Sequence, residues 1–219
     1  MSGFTNSGEA AGPYADAATN LIYHWLFCDD INLFKATVSQ PERYPWNILF
    51  SPSPVVPGLQ TIIGDAAVET RAKMLAYNLM RLNGFSSPKK ELLAVIVEVG
   101  LEDGPDVLAA FKDGTARYIN QSGKMIIWEA AGDTAGTLIK ELFASSIPVI
   151  QQIGPWNNAR RPHPETGVAR ISFLVSDGLY FGEAPMNALF AHPLAKPALL
   201  AATALMQFLT GKVLDKAAH

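Results

Sequence analysis

The chain has 219 residues, with 17 Lys and Arg against 20 Asp and Glu, so its net charge is −3. An apolar content of 49% excludes a disordered chain, whose composition could not offset its ordering entropy. The acidic balance and the lack of long basic runs exclude a nucleic-acid surface, and no segment is apolar enough to predict a membrane helix. A single cysteine and the lack of a secretory signal predict a cytoplasmic protein. Only 17% of residues are charged, against about 25% in ordinary domains, so we expect a partner to cover part of the surface.

The N-terminal part of the chain is predicted to pack on one α+β domain that covers residues 14–219. Residues 1–13 are rich in Gly, Ser and Ala and are expected to be flexible. Within 14–64, residues 16–29 have the helical period. Residues 39–58 contain five prolines among large apolar residues, which predicts an extended strap on the core.

A second helix is predicted after the strap. Asp65 suits its N-cap, and Asn83 with Gly84 suits its end. Between them, apolar residues recur every three or four positions and form a stripe that we expect to face the core: Val68, Ala72, Leu75, Leu79 and Leu82.

From Glu91 the apolar period changes to two, which is typical of β-strands. Four strand-like segments follow, over residues 91–101, 106–113, 115–121 and 124–129. They are separated by dipeptides that favour tight hairpin turns: Asp103-Gly104, Asp113-Gly114 and Ser122-Gly123. The sequence therefore predicts a four-stranded antiparallel meander.

These turns also predict the register of the meander if each has a two-residue loop. Counting outward then places on one face Val95, Val97, Val99, Leu108, Ala110, Arg117, Ile119, Ile126 and Trp128. Both faces are largely apolar, so we expect both to be covered, by helices on one side and by a helix, the strap or a second subunit on the other.

The remaining segments predict a helix, a hairpin and a final helical region. Asp133 suits the N-cap of a helix over residues 134–152, with Leu138, Leu142, Ile147 and Ile150 inward and a kink or break at Pro148. Segments 168–176 and 179–184 predict a second hairpin. The final helix is expected to break near Pro193, and again at Pro197. It is expected to pack on the sheet through a line of Leu200, Ala204 and Phe208, with Leu205 and Leu209 beside it.

The predicted fold class is α+β, an antiparallel four-stranded meander plus a second hairpin, flanked by helices in the order α-α-ββββ-α-ββ-α. From about Asp65 to Lys212 this element order resembles that of small α+β scaffolds used for protein contact, such as secretion-chaperone-like folds. The N-terminal helix and the strap depart from that pattern.

Arg117 and Trp128 are the first candidate site residues. The predicted register makes them direct neighbours on one face, where a guanidinium can stack on an indole. Arg117 then either covers Trp128 at the border of the sheet or presents its donors to a ligand carboxylate or phosphate.

Glu98 is the second candidate, because it interrupts an otherwise apolar strand. If it is buried, the predicted register offers Tyr118 as its hydrogen-bond partner, and a carboxylate with a raised pKa would be the leading acid–base candidate. The alternative is an exposed strand end.

The loop over residues 154–167 is the third candidate, because so long a segment without periodicity is usually functional or mobile. Its Trp156, Arg160, Arg161 and His163 carry groups that can close over an anionic ligand, the alternative being a solvated connection.

His24 and Cys28 stand four residues apart on the first predicted helix, a spacing that supports a thiolate nucleophile or half of a metal site. Their large apolar neighbours and the lack of a second ligand pair favour core packing instead. We therefore predict no metal and no cofactor.

These observations favour a non-catalytic binding or adaptor module, expected to be a homodimer, that holds a protein, a peptide or a small acidic ligand. No phosphate-binding glycine loop, nucleophile elbow or zinc-protease motif is present. The alternative is a small enzyme in which Glu98 and Tyr118 form an acid–base pair and Arg117 or Arg161 holds an anion.

Overall fold

The structure, a computed structural model, describes residues 12–87, 89–129 and 134–217. Its helices are α1 (Ala17–Trp25), α2 (Asn32–Lys35), α3 (Trp46–Leu49), α4 (Val56–Gly64), α5 (Thr70–Leu82), α6 (Thr134–Gln152), α7 (Met186–Ala191) and α8 (Lys196–Ala217). Its strands are β1 (Leu92–Leu101), β2 (Gly104–Phe111), β3 (Ala116–Ile119), β4 (Met125–Trp128), β5 (Val168–Val175) and β6 (Gly178–Pro185). Most of the predicted flexible segment, residues 1–11, lies outside the described residues.

All six strands form one antiparallel sheet in the order β4-β3-β2-β1-β5-β6. The predicted α+β class with an antiparallel sheet is confirmed, and the second hairpin joins the meander because β5 pairs with β1. Strands β1 and β2 are therefore central, and β4 and β6 are the edges.

Each face of the sheet carries its own apolar core. On one face, the N-terminal helices pack on the strands through residues that include Tyr23, Phe27, Leu59, Leu75, Ile96 and Phe111. On the other face, α6, α7 and α8 pack through residues that include Ile139, Leu142, Leu205, Leu209, Val95 and Phe173. The expectation that both faces are covered is confirmed. We call these the N-terminal face and the α6/α8 face.

The register of the meander differs from the predicted one because the glycines take other positions in the turns. Between β1 and β2 the loop is Glu102-Asp103, and the register is shifted by two residues, which leaves the faces unchanged. The next two loops have three residues and end in glycines with positive φ, Gly114 (88°) and Gly123 (80°). Each of these loops shifts the register by one residue.

A one-residue shift reverses the faces of a strand, since side chains alternate with period two. Ala116 and Tyr118 therefore lie on the α6/α8 face, where Arg117 and Ile119 were predicted, and Arg117 is opposite Ala109 rather than Ala110. The second shift returns β4 to its predicted faces, so Trp128 lies on the α6/α8 side.

The proline-rich region is not an extended strap throughout, because it contains α3 and the start of α4. Pro57 falls in the first turn of α4, where the missing N–H has no helical partner to lose. Trp46, Ile48 and Phe50 still pack on the N-terminal core.

The second predicted helix begins later than expected. Asp65 follows the end of α4, and α5 starts at Thr70. The Thr70 N–H donates to the carboxylate of Asp113 (2.8 Å), so a side chain from the β2–β3 turn satisfies the helix start. The helix ends at Asn83-Gly84 as predicted.

Three side chains predicted to point inward are exposed: Leu82 (80%), Ile147 (39%) and Leu200 (51%). In α8, Leu205 and Leu209 are buried as predicted, and Leu199 and Ala202 continue their side of the helix, so the line through Leu200 turns away from the sheet. Pro148 lies within one uninterrupted α6, and Pro197 lies in the first turn of α8, while the predicted cap Asp133 falls outside the described residues.

Candidate functional site

A cluster of charged side chains lies where β1, β5 and β6 meet the 154–167 loop on the N-terminal face. Three facing strand residues form its floor: Glu98, Arg170 and Glu183. Arg160 and Arg161 from the loop complete it. We call these five residues the charge cluster. It brings together the Glu98 candidate and the loop candidate, which are far apart in the sequence.

Glu98 is fully buried and has two polar partners. The hydroxyl of Tyr23 in α1 donates to its Oε1 (2.7 Å), and Nη1 of Arg170 lies 3.4 Å from its Oε2. Burial raises the pKa of Glu98 above its usual value, against the opposing effects of Arg170 and Tyr23. The interpretation of Glu98 as an exposed strand end is therefore wrong.

Arg170 is also buried and connects the sheet to the loop. Its Nε donates to Glu183 (2.6 Å), and its Nη2 donates to the carbonyl oxygen of Pro162 (2.6 Å). Its Nη1 reaches the carbonyl oxygen of Arg161 (3.3 Å) as well as Glu98. One guanidinium thus joins two carboxylates and two loop carbonyl groups.

Arg160 connects the loop to the end of α1. Its Nε donates to Asp29 (2.6 Å), and its Nη2 lies 3.0 Å from Nδ1 of His24. Its guanidinium carbon lies 3.9 Å from the ring centroid of Phe27, a cation–π contact. Because arginine only donates, Nδ1 of His24 must accept, which places the proton of the neutral ring on Nε2.

Arg161 and His163 line a cleft of about 300 Å³ above the cluster, together with Glu165, Arg170 and Glu183. Arg161 is half exposed and donates to Glu183 (2.7 Å). The two arginines of this cleft face two glutamates, so their charges are matched within the wall.

Trp156 lies outside the charge cluster, at the β6 edge. Its backbone N–H donates to the carbonyl oxygen of Leu179 (2.7 Å), and its ring stands edge-on to Phe181 at 5.2 Å. The loop therefore contacts the first half of the β6 edge.

The predicted stacking of Arg117 on Trp128 is wrong, because their side chains lie on opposite faces. Trp128 pairs with Ala116, and its ring contacts Phe208 of α8 at 5.5 Å. Arg117 forms a salt bridge with Glu129 and donates to the carbonyl oxygen of Trp128 (3.2 Å). Burial lowers the pKa of Arg117.

The predicted pair of Glu98 and Tyr118 is wrong for the same reason. Tyr118 lies on the α6/α8 face, and its hydroxyl donates to Oδ2 of Asp106 (2.9 Å). The sheet separates this hydroxyl from Glu98, so the two groups cannot exchange a proton directly.

His24 and Cys28 do not share a helix face, because α1 ends at Trp25 and Cys28 has a positive φ of 49°. Cys28 is fully buried, and burial raises the pKa of its thiol, which opposes a thiolate. Among the described residues, no group of three or more His, Cys, Asp or Glu side chains is placed to hold a metal ion.

A second feature is the open edge of the sheet at β4. Ile127 is 57% exposed there, and Met125, Ile126 and Trp128 are half-buried. In the described part of the chain no strand pairs with the outer side of β4. Helix α8 lies beside it, and from Ala198 to Gly211 this helix has no charged residue.

Sequence reasoning missed Arg170, Glu183 and Tyr23. Arg170 and Glu183 each interrupt an apolar strand, the same signal that identified Glu98. Tyr23 has no such signal, because aromatic residues on apolar helices usually belong to the hydrophobic core.

No protein-family model and no curated protein sequence matches this chain. Within the described residues, none of the helices combines the length and the apolar character needed to cross a bilayer.

Proposed function

We propose that the chain is a non-catalytic binding module that works as a homodimer, with two copies joined through their β4 edges. The observation that carries this proposal is the apolar β4 edge, on which no strand of the described residues pairs, whereas the other edge strand, β6, is contacted by the chain's own loop. An unpaired strand edge is a template for another strand.

The backbone of β4 has polar groups directed outward. Asn120 and Lys124 form a hydrogen-bonded pair at the turn (2.9 Å), so in an antiparallel ladder Ile126 and Trp128 bond to β3. The N–H and C=O groups of Met125 and Ile127 then point away from β3. A second strand would satisfy these groups.

Symmetry favours a second copy of this chain as that strand. Two copies related by a two-fold axis pair antiparallel, so each copy can offer the outward N–H and C=O groups of Met125 and Ile127 to the same groups of the other.

The neighbouring surface of α8 extends the contact beyond one short strand. A stable dimer buries about 1,200–2,000 Å² in total, more than a four-residue strand supplies. Leu200, Ala204 and Phe208 lie on the solvent side or flank of α8, and Phe208 contacts Trp128. This helix surface and β4 together form the proposed interface.

The alternative of an enzyme loses its geometric basis. Its proposed acid–base partners lie on opposite faces of the sheet, and each is bonded to another residue. Arg117 and Arg161, the proposed anion-holding residues, are both engaged with carboxylates. Within the charge cluster, these contacts hold the loop in place on the sheet.

Size-exclusion chromatography with light scattering tests the proposal on the full chain. The expected mass is twice the 23.6 kDa of one chain. Ile127→Lys places a charge at the centre of the edge and should give the monomer mass. Leu82→Lys is the matched control, since Leu82 is an exposed apolar residue on α5, and it should leave the dimer intact.

A second variant tests the strand pairing itself. Ile127→Pro removes an outward N–H without removing a bond to β3, and proline is tolerated at edge strands. It should also give monomers whose circular dichroism matches the wild type. A wild-type monomer at micromolar concentration, or a dimer that survives both Ile127 variants, would overturn the proposal.

A further inference from the structure

A cavity of about 90 Å³ lies between the α6/α8 face of the sheet and helices α7 and α8, and it is open on one side. Its walls include Val97 and Leu108 from the sheet and Phe190, Leu199 and Met206 from the helices. This wall is apolar, and only three of the lining side chains are polar. The cavity lies on the opposite face of the sheet from the charge cluster.

The three polar side chains in the wall offer acceptors and no free donor. The hydroxyl of Tyr118 donates to Asp106 (2.9 Å), and that of Thr203 donates to the carbonyl oxygen of Leu199 (2.9 Å). Asp106 also accepts from the backbone N–H of Gln121 (2.7 Å). A carboxylate has about four acceptor positions, so each of its oxygens can accept another hydrogen bond.

Asp106 also lacks a cationic partner. In the described ranges, no lysine, arginine or histidine forms a salt bridge with it, whereas Glu98 and Glu183 on the other face both pair with Arg170. A negative charge at the wall of an apolar cavity attracts a cation that also has an apolar body.

We propose that this cavity binds a small organic amine, with its ammonium group on Asp106 and its hydrocarbon body against the apolar wall. The volume corresponds to about three water molecules and is smaller than the roughly 150 Å³ that takes benzene, so the body is a short alkyl group. A carboxylate or phosphate ligand would face acceptors only.

An amine fits better than its neutral counterpart. An alcohol could donate one hydrogen bond to Asp106, but an ammonium has three donors and adds the attraction between opposite charges. A water molecule could hydrogen-bond to Asp106, but it would make no favourable contacts with the apolar side chains of the wall. The wall therefore selects for hydrocarbon, and Asp106 selects for positive charge.

Two-dimensional NMR of the full chain tests this with isobutylamine as the probe. The amide of Gln121 is the reporter, because it bonds directly to Asp106. Isobutylamine should shift this resonance and saturate, isobutanol should bind at least tenfold more weakly, and isobutyrate should not bind. Equal binding of the amine and isobutyrate would overturn the proposal.

Two variants locate the site. Asp106→Asn should weaken isobutylamine at least tenfold and leave isobutanol unchanged, whereas Asp103→Asn, at the exposed adjacent turn, should leave both unchanged. Ala202→Leu fills the cavity and should abolish binding of both compounds, with thermal melts confirming that each variant folds. Amine binding that survives Ala202→Leu or Asp106→Asn would overturn the assignment. The cavity lies within one copy, so these outcomes do not depend on dimer formation.

Discussion

Replacing Arg170 by methionine is expected to destabilise the protein strongly, because it leaves a buried carboxylate without its cation. Arg170 is 4% exposed and Glu98 is 0% exposed, and the two groups are 3.4 Å apart. Breaking such a pair from one side costs about 3–5 kcal/mol. For a chain of this length, each kcal/mol lowers Tm by about 2–4 °C, so the expected loss is about 6–20 °C.

Urea denaturation of the wild type and of Arg170→Met measures this loss directly. The double variant Glu98→Gln with Arg170→Met should be more stable than Arg170→Met alone, because it removes the unpaired charge. Arg161→Met is the matched control, since its ion pair with Glu183 is half exposed and should contribute at most about 1 kcal/mol. A loss below about 1 kcal/mol for Arg170→Met, or a double variant less stable than it, would refute the reasoning.

Three further outcomes are expected. Burial raises the pKa of Glu98 above the unfolded value of 4.5. The protonated Glu98 therefore adds to the free energy of unfolding in full below pH 4.5, and this contribution is lost as the pH rises through the folded pKa. The free energy of unfolding should fall there by at most about 1.4 kcal/mol per pH unit. Denaturation curves of Glu98→Gln across this range should lack that slope, and identical slopes would contradict the assignment. Gly100→Ala would place a Cβ 2.1 Å from the carbonyl oxygen of Glu165 and should cost about 1–3 kcal/mol in urea denaturation, whereas Gly182→Ala, with no atom within 4 Å of the new Cβ, should cost little. Cys28 should react with a thiol reagent only as fast as the protein unfolds, because it is fully buried, and rapid labelling of the native protein would show the site to be open.

The turn dipeptides located the hairpins but not the length of each loop. Asp-Gly and Ser-Gly fit a two-residue loop, yet they equally fit a three-residue loop that ends in glycine with positive φ. The loops that contain Gly114 and Gly123 are of the second kind. Each of these loops shifts the register by one residue, so the two faces of β3 are the reverse of those predicted, while β4 keeps its predicted faces. The neighbours of Arg117 and Tyr118 differ from the predicted ones for this reason.

The charge cluster depends on a strand neighbour that is distant in the sequence. Glu98 stood out as a polar residue in an apolar strand, but its partner comes from β5, which lies beside β1 although three strands, a helix and a loop separate them in the chain. Local periodicity indicates which segments are strands, and it contains no information on which strand borders the other side of β1. The sequence therefore marks Arg170 as a polar residue in an apolar strand, but it does not indicate that Arg170 lies opposite Glu98.

The way in which Arg170 holds the loop has a consequence for redesign. It bonds to the carbonyl oxygens of residues 161 and 162, and every amino acid supplies such an oxygen. The two bonds to Arg170 therefore survive an exchange of the side chains at these positions, while the ion pair of Arg161 with Glu183 is lost. A foreign recognition peptide grafted beside Arg170 would be held rigidly on the sheet by the same backbone hydrogen bonds.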